Sequence, residues 1–342
     1  MYNVRNMKNI ILLAACCVAM SANAGTSLPE GDGRGGAAER IDYYNSQAYR
    51  CHEKGDKKGA ADNFLLYLEE PAKRGMTQER QDSLYNADKR VYDQAALNAV
   101  YLYLSVNDMD GVLKALPYGR RVQIEQRVKP WETPNKGITN VYVAGMEAAK
   151  AKGMNDLYIE LLKEAVVRCP RNMSFTDQLT EYYKKNYTNN MAGAQADLDK
   201  MISAHPDSPD AWYIKGILYF DLQRNNSEAR SCFSKAIAIN EYYAYACAGM
   251  GNTYIEDINI LRRQGKFKLV FTTSNQQVKQ SVYKKELAEA QTYFFNARTY
   301  YEMARELMPD NYSLWGEPLL LCYKMLNMQD RYDQLNKEMN EE

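Results

Sequence analysis

The stretch PDAWYIKGILYFDLQRNNSEARSCFSKA, residues 209–236, decides the fold because it contains two amphipathic helical patterns joined by a short polar turn, QRNNS. Apolar residues recur at spacings of three and four on each side of this turn, which is typical of helices and not of strands. Gly216 and Ala229 are small enough to let two helices approach closely, and large side chains surround them. These large residues are Trp212, Tyr219 and Phe233. The stretch therefore predicts a helical hairpin with a packed interior.

The order of these residues, with Trp, Gly and Tyr on a first helix and Ala and Phe on a second, resembles the tetratricopeptide repeat (TPR). The second helix begins one residue later than in the family pattern, so the turn is longer by one. The same pattern fits other parts of the chain with varying quality, for example from Ile41, where Ala48, Ala60 and Phe64 match. About seven repeat units are predicted. They lie near residues 41–74, 93–126, 139–172, 175–208, 209–243, 244–311 and 312–342.

This resemblance implies an all-α fold, an α-solenoid in which the helical hairpins stack as a right-handed superhelix. It covers nearly the whole chain after residue 40, so no second domain is expected. Pro318 falls inside the first predicted helix of the last unit. We expect that helix to start or kink there, because proline lacks the backbone N–H that a helix interior needs.

The sixth unit carries a long hairpin insertion, residues 258–285, between two helices that exceed the usual repeat length. We expect these helices to run from about residue 243 to 263 and from about 282 to 308, and to project as a long hairpin. The segment QGKFKLVFTTS, residues 264–274, would form the tip of that hairpin. Two interpretations stay open for the tip: a mobile connector, or a docking surface made of exposed apolar side chains. The docking residues would be Phe267, Leu269 and Phe271.

The first 24 residues predict export. Arg5 and Lys8 precede the apolar run IILLAACCVAM, and the small-residue motif ANA ends at Ala24. We therefore expect a signal peptide over 1–24 with cleavage after Ala24, a flexible leader over 25–40, and a periplasmic or secreted protein. The layout also resembles a group of secreted repeat proteins of Gram-negative bacteria. Alternatively, the segment LAAC acts as a lipobox, and a lipid on Cys16 anchors the protein.

Charge and composition argue against several kinds of partner. Lys plus Arg and Asp plus Glu number 43 each, so no bulk positive field favours nucleic acid or an anionic membrane. After the signal segment, no apolar run approaches the roughly 20 residues that a transmembrane helix needs. The five cysteines outside it are Cys51, Cys169, Cys232, Cys247 and Cys322. An odd, widely spaced set does not predict a disulfide framework, although Cys232 and Cys247 fall on consecutive helices and could be neighbours.

The sequence offers few residues for catalysis. His52 and His205 are its two histidines, and they lie in distant units without the spacing of a zinc site or a nucleophile relay. No C-x-x-C, G-x-S-x-G, H-E-x-x-H or phosphate-binding glycine loop occurs. We therefore expect a protein that is not an enzyme and that carries neither a metal nor a cofactor.

The family resemblance implies a partner-binding groove, because fixed positions of each first helix line the concave surface of TPR solenoids. Transferred unit by unit, these positions give a groove rich in Tyr and Asn, which suits an extended peptide. Its residues are Asn45, Tyr49, His52, Leu97, Tyr101, Tyr183, Asn186, Tyr213, Ile217, Phe220, Tyr245, Asn252 and Tyr323. Equally, many of these tyrosines could seal the packing between repeats.

The sequence thus favours a non-enzymatic scaffold or adaptor that binds protein or peptide partners in a groove, without identifying those partners. Two alternatives from other classes stay open. One is an outer-membrane-associated nutrient or glycan-binding (lipo)protein, because exposed aromatic rings stack on sugars. The other is a structural solenoid that self-assembles.

Overall fold

In the computed structural model, the described residues are 37–122, 136–267 and 280–340. The expected signal peptide with its cleavage site, the Cys16 anchor, most of the leader, Leu269 and Phe271 lie outside them. Over the described residues the chain consists of fifteen α-helices and the turns between them, with no β-strand. The all-α class expected from the sequence is confirmed.

The chain forms two compact units, the first ending at Ala165 and the second beginning at Val166. The first unit contains α1 Ala37–Glu53, α2 Lys57–Lys73, α3 Gln78–Ala87, α4 Lys89–Ser105, α5 Met109–Arg121, α6 Lys136–Ala151 and most of α7 Asn155–Arg168. The second contains α8 Met173–Tyr187, α9 Met191–Ala204, α10 Pro209–Asp221, α11 Asn226–Ile239, α12 Ala244–Arg263, α13 Gln280–Leu307, α14 Tyr312–Met325 and α15 Gln329–Asn340.

Apart from α3, the helices follow one another as pairs, which makes this an all-α solenoid of TPR-like hairpins; sixteen residues separate α12 from α13, and short turns join the helices of the other pairs. The first helices of the pairs are α1, α4, α6, α8, α10, α12 and α14, and the second helices are α2, α5, α7, α9, α11, α13 and α15. Each residue range expected for a repeat holds one pair, although α1, α4, α6 and α8 begin two to four residues earlier than those ranges. The expected leader over 25–40 therefore overlaps α1.

The turns inside several hairpins share one hydrogen-bond pattern. After α1, Gly55 adopts a positive φ of 79°, and the Asp56 N–H donates to the Cys51 carbonyl oxygen at 2.9 Å. This is the Schellman motif, which satisfies carbonyl groups that the helix end leaves without partners. Asn107 and Gly153 close α4 and α6 in the same way. The chain thus reverses within a few residues, and the second helix packs back on the first.

The interior of the hairpin formed by α10 and α11 has the close approach that the sequence predicts. A Cβ atom on Gly216 would stand 2.6 Å from the ring of Phe233, a distance that no ordinary contact allows. Phe233 and Ala229 are both fully buried. Gly249 on α12 meets the same ring from the next hairpin, where its Cβ would lie 2.9 Å away. One phenylalanine therefore fills the space that two glycines leave in consecutive repeats.

Helix α3 is an addition that the repeat pattern does not predict. Thr77 caps its first turn, the Tyr85 hydroxyl donates to Asp93 on α4 at 2.7 Å, and Arg121 on α5 pairs with Asp82 at 3.1 Å. None of the residues of α3 is buried, so the segment lacks the apolar period by which helices are detected from sequence. It is held on the first two hairpins mainly by polar contacts.

Helix α14 differs from expectation at Pro318. The helix begins at Tyr312, after Asn311 as N-cap residue, and runs without interruption through Pro318 to Met325. Of the two outcomes expected at Pro318, a helix start or a kink, the start is therefore wrong, and the kink stays a prediction. Because proline has no N–H, the Leu314 carbonyl loses its usual helical partner, and packing of the buried Trp315 and Leu319 keeps the segment helical.

The segment that follows α12 also differs from what the sequence predicts. Gly265 adopts a positive φ of 69°, and the Lys266 N–H donates to the Leu261 carbonyl at 2.9 Å, which closes α12 with another Schellman motif. The chain turns back, and Phe267 is only 5% exposed. It joins a buried cluster that includes Ile258, Ala290 and Phe294. Phe267 is therefore a core residue and does not form the exposed docking surface considered from the sequence.

The five cysteines of the described part of the chain are free thiols. Burial raises the pKa of Cys232 and of Cys247 to about 11 each, so both are protonated, unreactive core residues at neutral pH. The pairing of Cys232 with Cys247 that the sequence left open is absent. Among the described helices, none is both long and apolar enough to cross a membrane.

Candidate partner-binding face

The first helices of the second unit lie side by side, because α8 contacts α10, α10 contacts α12, and α12 contacts α14. Lys184 on α8 pairs with Asp221 on α10 at 2.6 Å. Tyr213 on α10 is close enough to Asp177 on α8 and Tyr245 on α12 for both to raise its pKa. These contacts join three helices into one surface, which we call the first-helix face. It consists of Asp177, Glu181, Lys184, Lys185, Tyr213, Ile217, Phe220, Asp221, Tyr245, Asn252 and Glu256.

The register of α8 explains why part of this face was not found from the sequence. Asn172 is the N-cap residue of α8 and Ser208 that of α10, so Met173 corresponds to Pro209. The repeat expected to start at residue 175 therefore starts two residues earlier, and Asp177 occupies the place of Tyr213. An N-cap asparagine that follows the helix-ending proline of the previous repeat is a signal that could have fixed this register.

The shifted register removes Tyr183 from the predicted groove. Tyr183 is fully buried, and its hydroxyl donates to Asp197 on α9 at 2.9 Å, so it seals the hairpin as Tyr219 does in the next one. Asn186 is exposed, but it follows Asp177 by nine residues and so lies on the opposite side of α8. The side chains that α8 contributes to the face are instead Asp177, Glu181, Lys184 and Lys185.

Tyr213 and Tyr245, both predicted for the groove, lie on the face and are partly exposed. Tyr213 is held in place by edge contact with the ring of Tyr243, at 5.3 Å between centroids, and by the ring of Phe233 at 5.8 Å. Burial is the largest cause that raises the pKa of both groove tyrosines, and the charge of Asp177 raises it further. Both therefore carry a neutral hydroxyl that can donate a hydrogen bond at any physiological pH.

Three further predicted residues lie on the first-helix face and also contact side chains of the core. Ile217 and Phe220 are partly buried and pack against the cluster around Phe233. Asn252 is exposed, and its Oδ1 accepts a hydrogen bond from the Tyr301 hydroxyl at 2.6 Å. This bond fixes the amide, so its Nδ2 group points away from Tyr301 and stays available as a donor.

The prediction that Tyr323 lines the groove is wrong. It is 2% exposed, belongs to the core cluster of the last two hairpins, and its hydroxyl donates to Glu302 at 3.0 Å. Arg331 pairs with the same carboxylate at 2.7 Å. For Tyr323, as for Tyr183, the alternative that the tyrosines seal the packing between repeats is the correct one.

In the first unit, the predicted groove residues Asn45, Tyr49 and His52 lie along one side of α1. Tyr49 is 36% exposed and packs the edge of its ring on Phe64, with centroids 5.3 Å apart. Asn45 Oδ1 and His52 Nδ1 are buried atoms without a hydrogen-bond partner among the described residues. Leu97 and Tyr101 on α4 are partly exposed. His205 is exposed at the end of α9, on the other unit.

No group of three His, Cys, Asp or Glu side chains within the described ranges could hold a metal ion. A cleft of about 270 Å³ between α2 and α5 is lined by Lys58, Asp62, Glu69, Asp108 and Lys114. Its charges are paired locally, for example Lys58 with Asp108 at 2.5 Å.

Comparison with known proteins finds likeness in fold only. No protein-family model matches the chain. A search of curated proteins likewise finds no match. Solved structures are similar in their helical arrangement. A TPR protein from Bacteroides fragilis is 16% identical, with 84% of this chain and 98% of that chain covered and a TM-score of 0.37.

Two further similar structures are MamA and human IFIT1. MamA is 20% identical, with 58% of this chain and 88% of that chain covered and a TM-score of 0.34. The human IFIT1 dimer, solved with m7Gppp-AAAA, is 12% identical, with 87% of this chain and 67% of that chain covered and a TM-score of 0.40. None of these likenesses assigns a ligand to this chain.

Proposed function

We propose that this protein is a binding scaffold that holds an extended segment of a partner protein on the first-helix face, and that it does no catalysis. The observation that carries the proposal is the row formed by Asp177, Tyr213 and Tyr245 on three successive first helices. A segment laid across these helices would meet a carboxylate and two neutral hydroxyls in sequence. Rigid tyrosine rings supply contact area at a low cost in conformational entropy.

Charge favours a protein over a nucleic acid as the partner. The part of the face on α8 and α10 holds the carboxylates of Asp177, Glu181 and Asp221 against the ammonium groups of Lys184 and Lys185, so it carries no excess of positive charge. Nucleic-acid binding depends on Lys and Arg that neutralise phosphates, and carboxylates repel those phosphates. The proposal therefore names a protein segment and no nucleic acid.

The proposal is tested with a pair of tyrosine variants three residues apart. Purified protein, as wild type or as Tyr245→Ala or Tyr242→Ala, is used to capture partners from an extract of the exported compartment. Tyr242 is 40% exposed in the turn before α12 and serves as the matched control, because it is not part of the face. We expect Tyr245→Ala to lose a partner that wild type and Tyr242→Ala retain. Equal recovery by all three proteins would contradict the proposal.

We also propose that the protein is exported, which is supported by the basic start, the apolar run and the ANA motif of residues 1–24. Mass spectrometry of the mature N-terminus tests this directly. We expect a first residue of Gly25. A lipid-modified Cys16 at the N-terminus would instead favour the anchored form, and a chain that retains residues 1–24 would contradict export.

A further inference from the structure

Helix α3 covers part of the first unit without joining its core. None of its ten residues is buried, and four of them are partly buried, namely Gln81, Asp82, Leu84 and Tyr85. Its ion pair with α5, between Asp82 and Arg121, joins side chains that are 47% and 50% exposed. Exposed ion pairs contribute little to stability, and a segment with few buried apolar contacts opens locally at a low cost in free energy. We therefore expect α3 to detach more easily than the helices beneath it.

The chain is loosely held at both ends of α3. Before the helix, Gly75 adopts a positive φ of 68°, and a Cβ atom there would meet no atom within 4 Å. After the helix, Asp88 ends α3 and begins α4, and its side chain makes no capping hydrogen bond to α4. Glycine also tolerates changes of backbone conformation that other residues resist. Local packing therefore does not fix α3 at either end.

The surface beneath α3 is apolar and aromatic. Leu68 and Pro71 of α2 and Tyr92 and Ala96 of α4 are buried there, and Tyr118 of α5 is partly buried. These five side chains line a cavity of about 40 Å³ that α3 closes from the other side. One water molecule needs about 10–15 Å³ in the same measure, so α3 leaves more space than a single water occupies. The surface is therefore incompletely filled by its present occupant.

The contacts of α3 show which side chains this surface accepts. The ring of Tyr85 meets that of Tyr92 edge-on, with centroids 6.0 Å apart, and the guanidinium of Arg121 lies over it at 5.7 Å. The Tyr85 hydroxyl donates to Asp93 at 2.7 Å. Asp82, one turn before Tyr85, pairs with Arg121 at 3.1 Å. The surface thus recognises a phenol and a carboxylate that are one helical turn apart.

We propose that this surface, the α3 site, binds a helical segment of a partner protein that carries a tyrosine and, one turn before it, an aspartate or glutamate. The α3 site consists of Leu68, Pro71, Tyr92, Asp93, Ala96, Tyr118 and Arg121. Helix α3 occupies the site in the free protein, so it is an internal competitor that the partner segment displaces. The site belongs to the first unit and the first-helix face to the second, so this proposal does not depend on binding at that face.

The test adds α3 as a separate peptide to the whole mature protein. The probe is a fluorescently labelled peptide of residues 76–88, held helical by a lactam bridge from Glu79 to Ser83→Lys, because short helices are marginal alone and both positions are exposed. The proteins are wild type, Tyr85→Ala, which weakens the contact of α3 with its site, and the control Tyr101→Ala. Tyr101 is a partly exposed tyrosine of α4 that is not part of the site. Circular dichroism checks that all three proteins fold.

We expect the Tyr85→Ala protein to bind the peptide at least about tenfold more tightly than wild type or Tyr101→Ala, because the site is open in more of its molecules. Adding Arg121→Gln to the Tyr85→Ala protein should raise the dissociation constant about threefold, since the ion pair with the peptide is lost. A peptide that itself carries Tyr85→Ala should bind much more weakly. No binding by the Tyr85→Ala protein, equal binding by the three proteins, or equal binding of the two peptides would each overturn the proposal.

Hydrogen exchange of the wild-type protein, followed by mass spectrometry, tests the opening of α3 without a ligand. We expect the amides of α3 to exchange at least about tenfold faster than those of α4, because α3 opens locally while α4 is protected by its buried side. Equal protection of the two helices would also overturn the proposal, since α3 would then leave its site only when the whole unit unfolds.

Discussion

At the scale of single residues, the buried carboxylate of Asp210 shows how one side chain can tie several elements together. It is fully buried near the start of α10 and accepts hydrogen bonds from the Tyr243 hydroxyl at 2.7 Å, the Thr176 hydroxyl at 2.9 Å and the Arg171 N–H at 3.1 Å. Arg171 lies in the turn before α8, Thr176 lies on α8, and Tyr243 is the N-cap residue of α12. Asp210 therefore joins three consecutive repeats.

Asp210 also makes stability depend on pH. Burial raises its pKa above the value of about 3.9 for an unfolded chain, and the three hydrogen bonds only partly oppose this. The folded state therefore binds the proton more tightly, so the stabilising contribution is present below the unfolded pKa and is lost as pH rises through the folded pKa.

We expect the wild type to lose stability relative to Asp210→Asn as pH is raised from about 4 towards 8, because only the wild type must hold a buried charge there. Urea unfolding at several pH values measures this difference, with Asp330→Asn as the exposed control. A difference between wild type and Asp210→Asn that does not change with pH would contradict the assignment.

At the scale of elements, the sequence predicts the helical pairs well wherever a helix buries one apolar side. The pair α10 and α11 follows the family pattern around Gly216 and Phe233. The prediction fails where burial does not follow that pattern: α3 buries no residue, and α8 starts two residues before the position suggested by its weaker repeat. Phe267 was misplaced because an alternating segment does not reveal the turn at Gly265 that directs it into the core.

Gly216→Ala tests the close approach of α10 and α11. Alanine gains roughly 1 kcal/mol in an unstrained helix, but here its Cβ would overlap the buried ring of Phe233, which cannot retreat. We expect a net loss of about 1–3 kcal/mol in the free energy of unfolding.

Gly316→Ala on α14 is the matched control for this substitution. The nearest atom to its new Cβ, at 2.8 Å, is the flexible end of Met339, which can move away. We expect this variant to be at least as stable as wild type in the same urea titration. Equal destabilisation of both variants would show that the ring of Phe233 does not limit the approach of the helices.

The variant Phe267→Ala tests whether Phe267 stabilises the core or docks a partner. Because the side chain is 5% exposed within the cluster of α12 and α13, we expect a loss of about 3 kcal/mol in the free energy of unfolding. Phe295→Ala on α13 is the control, since this ring is 53% exposed, and its loss should stay below about 1 kcal/mol. Thermal unfolding compares the two. A stable Phe267→Ala protein with weakened partner binding would restore the docking interpretation.

At the scale of the whole molecule, the chain has a formal net charge of zero, so specificity must come from local surfaces and not from a global field. The sequence indicates the class of fold and the aromatic character of the groove. It does not show which of Tyr183, Tyr213 and Tyr323 stay exposed, because that depends on the register of each helix and on how neighbouring helices cover it. The charged side chains that α8 adds to the face could be identified only once its register was known.

The central claim is that partners bind on the first-helix face, and site-specific photo-cross-linking in the native host tests it most directly. A photoreactive phenylalanine analogue replaces Phe220 on the face or, as control, the exposed Ala238 on α11. Irradiation followed by mass spectrometry identifies the adducts. The account predicts a specific protein adduct from position 220 that is absent from position 238. Adducts from position 238 alone, or from neither position, would contradict it.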